Sequence, residues 1–205
     1  MVGCSVNDSS SVACRSIYDR MGVRSIINGR GATTAVGGSL IEPEVLAAMA
    51  EASSRFVDIE ALNRVVGRRI AEITGAQDGY VTCGSAAGMA LATAACVAGC
   101  DPAKIAALPD SDGFPNEIVL QRAHRIQYDR MYRVGGGRLV LIGTWETTQS
   151  EELEQAISEK TAAVAVHQTP YNGPGALPFE QVVEVAHARG IPVIVDAAST
   201  LPPGD

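Results

Sequence analysis

Apolar residues along this chain alternate between a helical spacing and short continuous runs. Residues 43 to 53, PEVLAAMAEAS, keep one apolar face behind a proline suited to a first helical turn, which predicts a short helix. Asp58 then stands as a candidate N-cap. The segment IEALNRVVGRRIAEIT carries apolar residues at helical spacing, and Gly75 offers a left-handed stop, so a second helix is predicted over 59–74. GYVTC (79–83) is a β-prone run, and GSAAGMALATAACVAG after it predicts a helix of small residues able to lie close to a sheet.

The alternation then repeats. Strands are predicted at EIVLQ (117–121), RLVLIG (138–143), AAVAVH (162–167) and PVIVD (192–196). Helices between them are predicted near 127–134, at SEELEQAIS with Ser150 as its cap, and at FEQVVEVAHARG after the loop QTPYNGPGALP. Strands joined by helices of this length need crossover connections. The expectation is an α/β fold with three α-β-α layers around a mostly parallel sheet whose strands are apolar on both faces. No repeat of fixed period and no low-complexity segment interrupts it.

Composition narrows the function classes. With 205 residues, of which 46% are hydrophobic, the chain can bury one sizeable core, and a formal net charge of -7 argues against a surface built to neutralise nucleic-acid phosphates. Its longest apolar run is broken by Gly and Thr and is too short to span a bilayer. Residues 1–21 read as a polar tail without signal-peptide features, ahead of one domain from residue 22 onward, and a cytoplasmic protein is expected. Five cysteines at 4, 14, 83, 96 and 100 show no paired C-x-x-C spacing, which fits reduced thiols; Cys96 and Cys100 read as small buried hydrophobes rather than metal ligands.

Open α/β sheets bind ligands beyond the carboxyl ends of their strands. Gly84, Ser85 and Ala86 in TCGSAAG would open a helix there, where free N–H groups and the helix dipole favour a phosphate. His124 follows the strand at 117–121, Thr169 and Asn172 follow the strand at 162–167, and Asp196 and Ser199 follow the last strand. A phosphate cradle, an aromatic ring able to stack, a hydroxyl or amide, and a buried carboxylate together suit pyridoxal phosphate, whose protonated ring nitrogen needs a carboxylate partner. His167 ends a strand and could face the same edge, whereas His187 falls mid-helix and reads as solvated. DSDGFPNE (110–117) lacks the spacing and the closing Glu of a calcium loop and reads as a turn.

The order of these motifs resembles the fold-type I pyridoxal-phosphate enzymes, in the branch containing selenocysteine synthase (L-seryl-tRNA(Sec) selenium transferase) and the D-glucosaminate-6-phosphate ammonia-lyases. INGRGATTAVGG (27–38), GYVTCGSAAGMALATAACVAG, PNEIVLQRAHRIQYDRMYRVGGGRLVLIGT and PVIVDAAS carry the resemblance. It implies that Gly84, Ser85 and Ala86 hold the cofactor phosphate, that His124 stacks on the ring, that Asp196 pairs with the ring nitrogen and that Ser199 lies near the ring oxygen. Arg30 would meet a substrate carboxylate or phosphate, with Thr169 and Asn172 also on the substrate side.

The resemblance further implies a homo-oligomeric lyase or transferase acting by α-proton abstraction and β-elimination on a small amino acid or amino-sugar acid. A role on tRNA is not expected, given the acidic balance and the short N-terminal tail. The departure from the pattern is the lysine that holds the cofactor in such enzymes. Only Lys104 and Lys160 are present, and both are expected at the amino ends of strands. The chain is accordingly expected to be the N-terminal part of a larger enzyme, inactive by itself; a non-catalytic module binding cofactor or a partner chain is the alternative.

Overall fold

The computed structural model describes residues 16–169 and 172–200. The chain divides into two compact units, one ending at Ile59 and one beginning at Glu60. Most of the predicted polar tail, with Cys4 and Cys14, lies outside the described residues.

In the first unit, Ser16 caps a single helical turn, α1 (Ile17–Arg20), by accepting from the Asp19 N–H at 3.1 Å. Helix α2 (Pro43–Ala52) starts at Pro43, whose fixed φ and missing N–H suit a first helical position. None of the described residues of this unit is buried, and Ile27, Leu40 and Phe56 are essentially fully exposed.

The second unit carries the sheet. Helix α3 (Ile59–Thr74) directly follows Asp58 and ends before Gly75, whose φ of 74° is the left-handed stop expected there. Helix α4 (Ser85–Ala98) and the short α5 (Pro102–Ala107) lead into β1 (Glu117–Gln121). The alternation then runs α6 (Arg130–Val134), β2 (Arg138–Ile142), α7 (Ser150–Ala156), β3 (Thr161–His167), α8 (Phe179–Ala188) and β4 (Val193–Asp196). All pairings are parallel and the spatial order is β2-β1-β3-β4.

Side-chain alternation splits the core in two. Ile118, Leu120, Ala163, Ala165 and Ile194 face one side and pack with Met89 and Val97 of α4 and Tyr132 of α6. Val119, Val164 and Val166 face the other and meet Leu153 of α7 with Val182 and Ala186 of α8. The expected three layers are thus present, and β1 is buried along its whole length. Burying both ends of β1 buries Glu117, which forms an ion pair with Arg138, its register partner at the start of β2.

Four local expectations are revised. GYVTC forms no strand: no described segment pairs with it, and Tyr80 and Val81 are exposed, so its β propensity has no ladder to join. The cap of α7 is Gln149 rather than Ser150, its N–H donating to the Glu152 carboxylate at 2.8 Å. That helix stops at Ala156 because Ile157 turns extended and enters the core. Cys100 is exposed, whereas Cys96 packs against the core and burial raises its thiol pKa.

Two substitutions test this packing. Leu153→Ala leaves a cavity under the α7 layer and is expected to cost about 3 kcal/mol in chemical denaturation. Gly135 lies so close to α4 that an added Cβ would overlap the Ala90 carbonyl oxygen. Gly135→Ala is therefore expected to lower stability by about 2 kcal/mol, read from the same denaturation midpoint.

Candidate functional site

Every strand of a parallel sheet ends at the same edge, so the segments after β1, β2, β3 and β4 gather there. The turn Arg122–His124 follows β1 directly and buries His124, of which 3% remains exposed. The loop after β3 crosses back over this edge. Gly173 N–H donates to the Ala123 carbonyl at 2.9 Å, Gly175 N–H to the Trp145 carbonyl at 3.1 Å, and Leu177 N–H to Gln121 Oε1 at 2.7 Å. Asn172 turns its amide onto the end of β3, donating Nδ2–H to the His167 carbonyl at 2.7 Å.

His167 and Asp196 are register partners at the ends of β3 and β4. They continue the rows Ala163–Ala165–His167 and Ile194–Asp196, so both belong to the face covered by α4. Asp196 is buried, and its Oδ1 accepts from the Ala198 N–H at 3.2 Å. Its charge reaches Tyr132 across this face: burial first, then Asp196 and Asp129, hold that phenol well above its ordinary pKa. Burial first, then His167, lower the pKa of His124 from 6.5 to about 4, so its ring is neutral near pH 7.

Helix α4 presents its N-terminus to the same edge. Gly135 and Gly137, just ahead of β2, pack on Ala90, Thr93 and Ala94, which places the later turns of α4 toward the amino edge and its start toward the carboxyl edge. Gly84 holds φ 103° and ψ 166°, a conformation open to glycine, and its carbonyl accepts from the Thr82 hydroxyl at 3.0 Å. The first N–H groups of any α-helix lack intrahelical acceptors, and those of Ser85 and Ala86 begin this one.

Among the described residues, the buried side-chain polar atoms lacking a hydrogen-bond partner are Gln121 Nε2, His124 Nδ1, Thr148 Oγ1, His167 Nδ1 and Asn172 Oδ1. All five follow or end a strand at the carboxyl edge. Buried polar groups are normally satisfied, and such a concentration at one edge is the chemistry of a site built for a polar ligand. Donors, acceptors, a neutral aromatic ring and a buried carboxylate beside a helix start fit a phosphorylated, cationic, planar heterocycle.

The structure thus brings His124, Asn172 and Asp196 to one edge with the α4 start at Gly84, Ser85 and Ala86. Thr169 is half-buried in the same loop, and Ser199 is exposed just past Asp196. Arg30 lies in the first unit, exposed on a loop in which its N–H donates to Asn28 Oδ1 at 2.8 Å. Lys104 sits over the Phe114 ring at 5.4 Å, ahead of β1, and the Lys160 carbonyl accepts from Glu117 N–H at 2.9 Å; both stand at the amino edge. His167, only one option among several in the sequence, is a full member of the edge. Gln121 was not anticipated, although a Gln closing the apolar run EIVLQ is a signal, because a buried amide must find partners.

The architecture is that of the fold-type I pyridoxal-phosphate enzymes. It superposes on a solved structure of D-glucosaminate-6-phosphate ammonia-lyase with a TM-score of 0.86 and 38% identity, covering 89% of this chain and 51% of that one. In sequence the chain is homologous to a D-glucosaminate-6-phosphate ammonia lyase of Salmonella typhimurium (strain 14028s / SGSC 2262), with 40% identity over 189 residues, 90% of this chain and 51% of the relative. A 5'-C-glycyluridine monooxygenase-decarboxylase of Streptomyces sp is 37% identical over 194 residues, 88% of this chain and 47% of that one. An L-seryl-tRNA(Sec) selenium transferase of Alkaliphilus metalliredigens (strain QYMF) is 27% identical over 217 residues, 95% of this chain and 43% of that one. No family model matches. The chain spans about half the length of the curated relatives it matches. No helix among the described residues is long and apolar enough to cross a membrane.

The buried, neutral His124 makes stability depend on pH. Its folded pKa of about 4 lies below the ordinary 6.5, so between these values the unfolded chain binds more protons and stability falls as pH falls. Urea titrations from pH 7 to 4 are expected to show a loss of about 1–3 kcal/mol from this group. His124→Gln is expected to flatten that slope.

Proposed function

We propose that this chain forms the pyridoxal-phosphate-binding part of a lyase or transferase acting on a small amino acid or amino-sugar acid. The observation that carries the reading is the set of unsatisfied buried polar atoms at the carboxyl edge, the edge at which Asp196 is buried and α4 begins. Gly84, Ser85 and Ala86 would receive the phosphate, His124 would lie against the ring, and Asp196 would meet the ring nitrogen. Asn172, Thr169 and Ser199 would meet the remaining polar groups of cofactor or substrate, and Arg30 a substrate anion.

Bound there, pyridoxal phosphate supplies an electron sink for reactions that break a bond at the α-carbon of an amino compound. Asp196, buried at the end of β4, would meet the heterocyclic nitrogen and keep a proton on it. His124, neutral near pH 7, offers a flat face without a competing positive charge. α-Proton abstraction with β-elimination is the reaction favoured, in keeping with the ammonia-lyase relative. A net charge of -7 favours a small-molecule substrate over tRNA. The exposed apolar residues of the first unit support assembly with further copies or further chain, as a dimer or a multiple of dimers, and a cytoplasmic setting remains the expectation.

A second reading has its own observation. Both lysines stand at the amino edge, so this chain by itself brings no lysine to the site and would act as a cofactor-binding module without turnover.

Titration of the full chain with pyridoxal phosphate, followed by cofactor absorbance and by quenching of the single tryptophan, tests the binding claim. Saturable binding is expected, weakened about tenfold or more by Asp196→Ala, because a charge-assisted contact is lost. Replacing Lys104 and Lys160 by Arg is expected to leave it intact. Binding that follows the lysines and ignores Asp196 would sink the proposal.

A further inference from the structure

A helix start that receives an anion must hold its N–H groups in one orientation, and Gly84 cannot do this by itself. It has no side chain to cap α4, and its φ of 103° lies where glycine is little hindered, so sterics alone leave the Gly84–Ser85 peptide plane loosely set. Thr82 supplies the hold. Its hydroxyl donates to the Gly84 carbonyl at 3.0 Å, and the same carbonyl accepts from Gly88 N–H at 3.1 Å, the bond that opens the ladder of α4. The hydroxyl rests against this first turn: a Cβ added to Gly88 would stand 3.5 Å from Thr82 Oγ1. The Gly84–Ser85 peptide is trans, so its C=O and N–H point in opposite directions within one rigid plane. A donor fixed on the Gly84 carbonyl therefore also fixes Ser85 N–H, one of the donors that the helix itself leaves without an acceptor, and turns it out of the helix start.

We propose that Thr82 is a positioning residue of the phosphate cradle: its hydroxyl, hydrogen-bonded to the Gly84 carbonyl, keeps the Gly84–Ser85 peptide plane turned so that Ser85 N–H is presented to the cofactor phosphate. The inference rests on the pyridoxal-phosphate reading above and adds a residue to which that reading gives no role. Thr82 acts on the backbone and not on the phosphate. Without its hydroxyl the Gly84 carbonyl keeps one donor, Gly88 N–H, in the first turn of the helix. The plane can then rock, which turns Ser85 N–H away from the anion and brings a carbonyl oxygen toward it. Val at 82 keeps the shape of the side chain and removes the donor, whereas Ser keeps the donor and gives up a methyl group.

The experiment binds pyridoxine 5'-phosphate to the full chain, a probe that lacks the aldehyde of the cofactor and so forms no imine with Lys104 or Lys160. Affinity is read by calorimetry, and the phosphorus-31 chemical shift of the bound probe at saturation reports hydrogen bonding at the phosphate, which a loss of fold stability alone does not move. Thr82→Val is expected to weaken binding about tenfold and to move the bound shift toward that of the free probe. Thr82→Ser is expected to match the unmodified chain in both. If Thr82→Val loses its fold by circular dichroism, the comparison of Thr82→Ala with Thr82→Ser carries the test in the same way. Affinity and shift unchanged in Thr82→Val or Thr82→Ala, or altered as much in Thr82→Ser, would overturn the role of Thr82 while leaving the cofactor reading standing. Absence of any binding by the unmodified chain would overturn both.

Discussion

A sheet buried on both faces constrains everything else in this molecule. β1 and β3 have no solvent-facing side, so their backbone groups must be satisfied by neighbouring strands and their side chains by helices above and below. Parallel pairing meets both demands, because each return to the sheet needs a crossover, and the crossovers are the helices that cover it. The same arrangement brings every strand to its end at one edge. The candidate site is a consequence of that constraint: polar residues that close apolar strands have nowhere to go but this rim.

The two edges use polar residues differently. At the amino edge the buried Glu117 finds Arg138, one strand away and in register, and the pair satisfies itself. Lys104 rests on Phe114, and Ser111 donates to the Gly136 carbonyl at 2.6 Å. At the carboxyl edge the equivalent groups are held in place but left incomplete. Gln121 uses its oxygen to anchor the loop at Leu177 and keeps its nitrogen unpaired; Asn172 uses its nitrogen on His167 and keeps its oxygen unpaired. One half of each amide builds the scaffold and the other half is left without a partner at the carboxyl edge.

Much of this was legible in the linear pattern. Strand-and-helix alternation from 117 to 196 fixes the layers, since the period of apolar residues changes from continuous to helical at each boundary and Gly or Pro marks many of them. His124 and Asp196 could be chosen because each directly follows an apolar run, the position that a parallel sheet turns into its ligand edge. Less legible were features set by partners distant in sequence. GYVTC has strand composition but no ladder among the described residues, Gln149 caps α7 because Glu152 returns to its N–H, and Cys100 falls outside the core although Cys96, one turn earlier, packs against it.

The sequence by itself determined the fold class, the edge at which the candidate residues would gather, and the amino-edge position of the two lysines present, because these follow from periodicity, strand ends and residue counts. Only the tertiary structure decided that His167 stands opposite Asp196, that Gln121 ties down the loop after β3, and that the α4 start points to the same rim. Register and loop return depend on how strands 20 or more residues apart pair, and a shift of one residue would send each of these side chains to the opposite face. Local composition cannot encode that choice; the packing of both faces at once selects it.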